Sequence, residues 1–282
     1  MSFQNITVVI TSFKSREKIF NLLNSIDGRV KVIVIENSND ADLKKDIENK
    51  YNNVECILSS KNLGYAKGNN LGLTKVKTKY ALIVNPDAEL GQNTFKNFFI
   101  SAEKNPEFTI ISPLVQEKKD IEKYYNLKND KLIEVENVKG FAMFLNLKKF
   151  DDIGFFDDNF FIYFEEIDLC KRLRKKDKKL FLDPSILISH IGGSSHDNEI
   201  NFEMEVSRNW HWMWSSFYFY KKHYGYFFAL LKMSRKLFSA FIKSTFYYLL
   251  KNTKKNKIYF SRLSGLMSSI LMKKSWYRPK IN

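Results

Sequence analysis

The 282-residue sequence predicts an α/β protein on a mostly parallel sheet, extended at its C-terminus by a basic helical region. Three observations carry this reading. Apolar β-rich runs without polar alternation recur between residues 6 and 190, the signature of strands covered on both faces. Segments with helical spacing separate them, as in βα units. The acidic residues then stop: beyond Glu205 there is no Asp or Glu, while sixteen Lys and Arg lie between Arg208 and Lys280. The remaining thirty basic residues balance the 31 acidic ones, so the net charge of +15 belongs to the last quarter and marks a module boundary.

Taken in order, ITVVITSF at 6–13 is a first strand, and KSREKIFNLLNSI follows with the helical spacing Ile19, Leu22, Leu23, Ile26. VKVIVIENS at 30–38 is a second strand, DADLKKDIENKYN a solvated helix, and VECILSS a third strand. KNLGYAKGNNLGLTKV reads as a glycine-punctuated loop running into a helix, and YALIVNP as the fourth strand. A helix near 91–104 precedes the strand TIISPLV, and the polar stretch 116–135 reads as a surface excursion. VKGFAMFLNLKKF resumes strand character, FFDDNFFIYFEEIDLCKRLRKK carries a loop into a helix, and KLFLDPSILISHIGGSS is a last strand with a loop behind it. In open parallel sheets ligands gather at the carboxyl ends of strands, where Thr11, Glu36 and Asp87 fall.

Length sets one to two domains, and 44% hydrophobic with 27% charged residues excludes global disorder. Cys56 and Cys170 are too few for a disulfide framework or a zinc site and read as buried thiols in a reducing compartment. The start, MSFQNITVVITSF, lacks the features of a secretion signal, so a cytoplasmic location is expected.

Three constellations carry chemistry. In ALIVNPDAEL, Pro86 constrains how the chain leaves its strand, and Asp87 and Glu89 have a spacing that can place oxygens on a divalent cation. The same residues also suit an ordinary turn or helix start. In FIYFEEIDLCKRLRKK, Glu165, Glu166 and Asp168 follow an aromatic run. Such carboxylates can cap a basic helix and pair with Arg172, or, beside apolar surface, acquire the raised pKa a general base needs. In SHIGGSSH, His190 closes a strand before two glycines and is either structural or a ligand, whereas His196, His211 and His223 read as structural.

The order of ITVVITSF, VIVIENSND, NLGYAKGNNLGL, ALIVNPDAEL, VKGFAMFL, GFFDDNFFIYFEEIDLCKRLRKK and ISHIGGSS resembles the bacterial family 2 glycosyltransferases, in their rhamnosyltransferase-like and galactofuranosyltransferase-like branch. It extends over about residues 5–225, including RNWHWMWSSFYFYKKHYG. The resemblance implies a GT-A fold: a Rossmann-like nucleotide-binding half over about 1–115 with a mixed, mostly parallel sheet, an acceptor-binding half over about 116–205, and the helical extension 206–282. It further implies inverting transfer of a sugar from a nucleotide diphosphate such as dTDP-rhamnose or a UDP-hexose, with Mg²⁺ or Mn²⁺.

On that likeness Asp87 and Glu89 stand at the family's Asp-X-Asp position, and His190 matches a histidine that completes the metal shell. Thr11, Ser12 and Phe13 match the loop that holds the base. Glu36, where the family usually has Asp, lies beside Asn37, and Asn62, Gly64 and Asn70 match the lining of the nucleotide pocket, which Asn85 adjoins. Glu166 matches the catalytic base, where Asp is commoner, with Glu165 beside it and Asp168 one turn on.

Elementary chemistry asks for the same parts. A departing diphosphate needs its growing charge stabilised, and an attacking hydroxyl needs a carboxylate to take its proton. The acceptor implied is a growing, lipid-linked bacterial surface glycan such as capsule or an O-chain. From Phe227 to Lys280 the basic, aromatic helices suit attachment to the inner face of an anionic membrane, with residues up to about 225 packing on the core. Two rival readings stand beside this one: a nucleic-acid-binding protein using the basic aromatic tail, and a catalytically silent glycosyltransferase-like partner. Positive charge confined outside the α/β half speaks against nucleic acid, and retention of charge at Glu89 and Glu166 speaks for an active enzyme.

Overall fold

In the computed structural model, which describes residues 2–115, 132–190, 196 and 198–279, the chain divides into two compact units. One comprises Met1–Leu63, Lys67–Phe156 and Glu166–Asp197; the other comprises Gly64–Ala66, Asp157–Glu165 and Asn198–Asn282.

The first unit is a nine-stranded sheet with helices. Strands β1 (Ile6–Ser12), β2 (Lys31–Glu36), β3 (Val54–Leu58) and β4 (Tyr80–Val84) are joined through α1 (Arg16–Ser25), α2 (Ala41–Lys50) and α3 (Gly64–Leu73). β5 (Ala88–Leu90), α4 (Thr94–Lys104), β6 (Phe108–Val115), β7 (Ile133–Glu134), β8 (Ala142–Asn146), α5 (Glu165–Arg174) and β9 (Lys179–His190) follow. The spatial order is β3-β2-β1-β4-β8-β6-β9-β5, with β7 paired to β9.

β1, β2, β3 and β4 run parallel, and β8 enters antiparallel between β4 and β6. The sheet is therefore mixed and mostly parallel, as the unbroken apolar runs predict. Every residue of β4, β6 and β8 is buried, so both faces of these strands are covered. Phe144 of β8 organises the middle of the core, with Phe98 at 4.9 Å, Tyr80 at 5.1 Å and Phe108 at 5.5 Å between ring centroids.

Two short strands, β5 and β7, are additions that alternation could not reveal, being two or three residues long. β5 matters for the site, because the segment after Pro86 becomes an edge strand on β9 rather than a helix start. Most of the expected excursion at 116–135 and the glycines after His190 lie outside the described residues. Cys56 and Cys170 are buried free thiols, and burial pushes both up to about 12.

The second unit contains three long helices, α6 (Asn201–Tyr224), α7 (Tyr226–Leu249) and α8 (Thr253–Ile270). Met213 and Phe217 of α6, Ala229 and Met233 of α7, and Leu266 of α8 form its core. No helix among the described residues is long and apolar enough to cross a membrane.

His211, also on α6, is buried and stacked 4.4 Å from Phe161. Burial, reinforced by Arg278, pushes its pKa down to about 3. A neutral ring satisfies both nitrogens: Nε2 donates to the Tyr277 carbonyl at 3.1 Å, and Nδ1 accepts from the Ser275 hydroxyl at 3.1 Å.

Candidate active site

The carboxyl ends of β1, β2 and β3 are stitched together by their own polar groups. The Asn37 N–H donates to the Ser12 carbonyl at 2.8 Å, and the Ser59 N–H to the Glu36 carbonyl at 3.1 Å. Ser12 Oγ meets Ser15 Oγ at 2.9 Å, and the Phe13 N–H donates to Ser15 Oγ at 3.2 Å. Thr11 stands over bare backbone, since a Cβ on Gly68 would sit 2.5 Å from its methyl group. Its Oγ1 is inaccessible and makes no hydrogen bond among the described residues.

Several residues expected to line the nucleotide pocket are engaged by the protein itself. Glu36 is fully buried; its Oε1 accepts from the N–H and hydroxyl of Ser38, and its Oε2 from the Asp40 N–H at 2.8 Å. The longer arm of Glu, compared with Asp, lets it span this turn and brace the start of α2. Asn70 clamps the Phe156 backbone, donating to its carbonyl at 2.9 Å and accepting from its N–H at 3.0 Å. Gly64 has φ +79°, and a Cβ there would lie 2.4 Å from the Phe161 carbonyl oxygen, so only glycine fits. Asn37 is buried and its Oδ1 faces the Leu63 N–H at 3.4 Å, while Asn62 is half-buried before α3.

At the end of β4 the chain makes a tight turn in which the Ala88 N–H donates to the Asn85 carbonyl at 3.1 Å. Pro86 and Asp87 occupy its central positions, where proline's fixed φ is favourable. The turn aims the Asp87 side chain inward, leaving it 2% exposed with Oδ1 3.4 Å from His190 Nε2. His190 stacks on Phe141 at 4.6 Å, and its Nε2 is 3.5 Å from the Asn85 amide nitrogen.

Glu89 does not join this group. In the β5–β9 ladder Ala88 faces His190 and Glu89 faces Ser189, so Glu89 points to the opposite side of the sheet and is exposed. Among the described residues no three metal-ligating side chains converge. A carboxylate and an imidazole nitrogen, with the inaccessible and unbonded Asn85 Oδ1 beside them, are nonetheless of the chemistry that fits a divalent cation.

The second carboxylate group starts α5. Glu165 and Asp168 are buried. Asp168 accepts from Arg172 Nε at 2.8 Å, and the guanidinium also binds the carbonyls of Ile153 and Phe155. That ion pair ties helix to loop, an orienting role. Glu166 differs: its Oε2 is inaccessible and without a hydrogen-bond partner among the described residues, and burial raises its pKa. Its side chain packs along Gly140, where a Cβ would lie 3.4 Å from that of Glu166, in ordinary van der Waals contact.

Gly140 and Phe141 connect the two groups. Gly140 lies against Glu166, while Phe141 accepts from the Asn85 N–H at 2.8 Å and stacks on His190. One dipeptide thus touches both the carboxylate with raised proton affinity and the Asp87–His190 pair. Sequence reasoning saw VKGF only as the start of a strand; a glycine followed by an aromatic residue there was the available signal.

The family model described as glycosyl transferase family 2 matches residues 7–170. The low-salt glycan biosynthesis hexosyltransferase Agl10 of Haloferax volcanii is 26% identical over 200 residues, 61% of this chain. That match spans 62% of the relative, less than two thirds of its length. The mannosyltransferase PcManGT from Pyrobaculum calidifontis, solved with GDP-Man and Mn²⁺, superposes with TM-score 0.60 at 11% identity, covering 96% of this chain and 88% of that one. GalNAc-T7, solved with UDP, GalNAc and Mn²⁺, gives TM-score 0.56 at 14% identity over 66% of this chain and 43% of its own. The fold they share is the GT-A type that the family resemblance implies.

Proposed function

Since the chain belongs to glycosyl transferase family 2, we propose that it is an inverting, divalent-metal-dependent glycosyltransferase. It moves a hexose-type sugar from a nucleotide-diphosphate donor, of the dTDP-rhamnose or UDP-hexose kind, to a hydroxyl of a growing, lipid-linked surface glycan. The observation that carries the reading is the contact of Gly140–Phe141 with both Glu166 and the Asp87–His190 pair. The mannosyltransferase and GalNAc-T7 structures holding nucleotide and Mn²⁺ support it.

Glu166 takes the proton of the acceptor hydroxyl as it attacks. Its raised pKa suits a base that works near neutrality. Asp168, paired to Arg172, fixes the helix that presents it. Asp87 and His190 would hold Mg²⁺ or Mn²⁺, which when bound supplies positive charge to the departing diphosphate. The backbone around Ser12, Phe13 and Asn37, at the carboxyl ends of β1 and β2, shapes the donor's seat. A single base opposite the leaving group gives one in-line displacement, hence inversion.

The C-terminal helices attach the protein to the inner face of an anionic membrane. On α7, Phe227, Leu231, Phe238 and Leu249 are 80%, 77%, 67% and 72% exposed, and they recur every four, seven and eleven residues along one face. Ala229, Met233, Ala240 and Ser244 are buried on the other side. Lys232, Lys236 and Lys243 lie together on one side of the helix, between the exposed apolar face and the buried one.

The test of the enzyme reading is a thermal-shift panel of UDP, GDP and dTDP with and without Mn²⁺. At a hundredfold excess over Kd, linkage stabilises by about 2.7 kcal/mol, which reads as several degrees. One nucleotide should raise Tm in a metal-dependent way, and Asp87→Asn should erase the metal-dependent part. No shift with any of them, or an undiminished shift in the variant, would sink the proposal.

A further inference from the structure

In α6, between Val206 and Phe219, Trp212 is the single exposed side chain, at 41%. Its neighbours are aromatic: Tyr163 meets it edge-on with centroids 5.3 Å apart, and Phe164 is tilted against it at 5.3 Å. The Lys236 ammonium lies 5.9 Å from the Trp212 ring centroid.

The backbone that presents these rings is strained. Tyr163 and Phe164 have φ of 70° and 68°, two consecutive bulky residues in the left-handed region. Such residues cost on the order of 1–3 kcal/mol each and persist where their surroundings over-determine them. Here α6 holds the loop 157–165 at several points. The Ile162 carbonyl accepts from Ser215 Oγ at 2.9 Å, and Phe161 stacks on His211. Asp157 accepts from the Tyr218 hydroxyl at 2.9 Å and from Lys222 Nζ at 2.7 Å. The strained pair directly precedes Glu165 and Glu166 in the chain.

We infer that Tyr163, Phe164 and Trp212 form a platform that binds the acceptor sugar by stacking, with Lys236 donating to one of its hydroxyls. One side of a pyranose ring carries axial C–H bonds with partial positive charge, which the negative face of an aromatic ring attracts. The hydroxyls around its rim call for a donor such as the ammonium. Stored strain serves the platform by holding the rings ready without reorganisation on binding. The inference rests on the proposed glycosyl transfer, from which it takes its ligand.

Saturation-transfer NMR on the full chain, with the methyl glycosides of glucose, galactose, mannose, rhamnose and N-acetylglucosamine as probes, tests it directly. With wild-type protein, at least one probe should receive saturation at its ring C–H protons. Trp212→Leu should weaken that probe at least tenfold, and Trp212→Phe should restore part of the binding. Tyr163→Gly is a second variant that glycine's freedom at positive φ makes safe for folding, and it should weaken the probe while leaving Tm equal or higher.

Binding of none of the five glycosides by wild type, or wild-type binding by Trp212→Leu and Tyr163→Gly, overturns the platform. The nucleotide-and-Mn²⁺ thermal shift, run on the same samples, separates the two ideas. A retained nucleotide shift with lost glycoside contact in wild type removes the platform alone, whereas an absent nucleotide shift removes the enzyme reading.

Discussion

Replacing Glu166 by Gln should disable the protein and make it more stable at the same time. The substitution keeps side-chain shape against Gly140 and removes only the charge. Loss of a general base costs about 10²- to 10⁴-fold in rate. The gain in stability follows from proton linkage. Burial raises the Glu166 pKa above its ordinary value of 4.5, so in the window just above 4.5 the folded state binds more protons than the unfolded one. Stability therefore falls as pH rises through that window, and is fully recovered only below 4.5. A tenfold change in proton affinity corresponds to ~1.4 kcal/mol, and an inaccessible oxygen without a partner carries a penalty of about 1–3 kcal/mol.

Glu166→Gln escapes that loss and should melt a few degrees above wild type at pH 7.5, with the difference vanishing near pH 4. Scanning fluorimetry from pH 4 to 8 reads the stability arm, and nucleotide release from UDP-, GDP- and dTDP-sugars with Mn²⁺ reads the activity arm. A variant that releases nucleotide within tenfold of wild type, or melts below it at pH 7.5, would refute the reasoning.

Asn70→Ala should act on stability rather than on the donor: it strands the N–H and carbonyl of Phe156, a loss of about 2 kcal/mol by urea unfolding, while nucleotide affinity stays within about twofold. A variant of unchanged stability but lost nucleotide binding would return Asn70 to the pocket lining. On the α7 face, the double change Leu231→Glu and Phe238→Glu should abolish flotation with phosphatidylserine vesicles and leave the thermal nucleotide response intact, because both side chains are exposed. Flotation equal to wild type would remove the membrane from the proposal.

Most of the scaffold was readable along the chain because its causes are local. Runs such as ALIV at 81–84 and TIIS at 109–112 have no polar alternation, and that alone requires strands covered on both faces. Charge segregation past Glu205 likewise announced the helical region. The functional positions were legible as residue types but not as roles. Glu36, Asn70 and Asp168 sit where chemistry was expected, and their polar atoms are occupied by Ser38 and Asp40, by Phe156, and by Arg172 respectively. Glu89, two residues from Asp87, turns to the other face because an edge strand begins between them.

What the order of residues determined by itself is the supply of carboxylates at strand and helix ends, since hydrophobic period and proline placement act over a few neighbours. What only the tertiary structure decided is which carboxylates remain chemically available. A buried oxygen is spent or spare according to donors brought to it from distant segments. Gly140 and Phe141, contacting Glu166, Asn85 and His190, are joined to them through sheet register and packing rather than proximity along the chain.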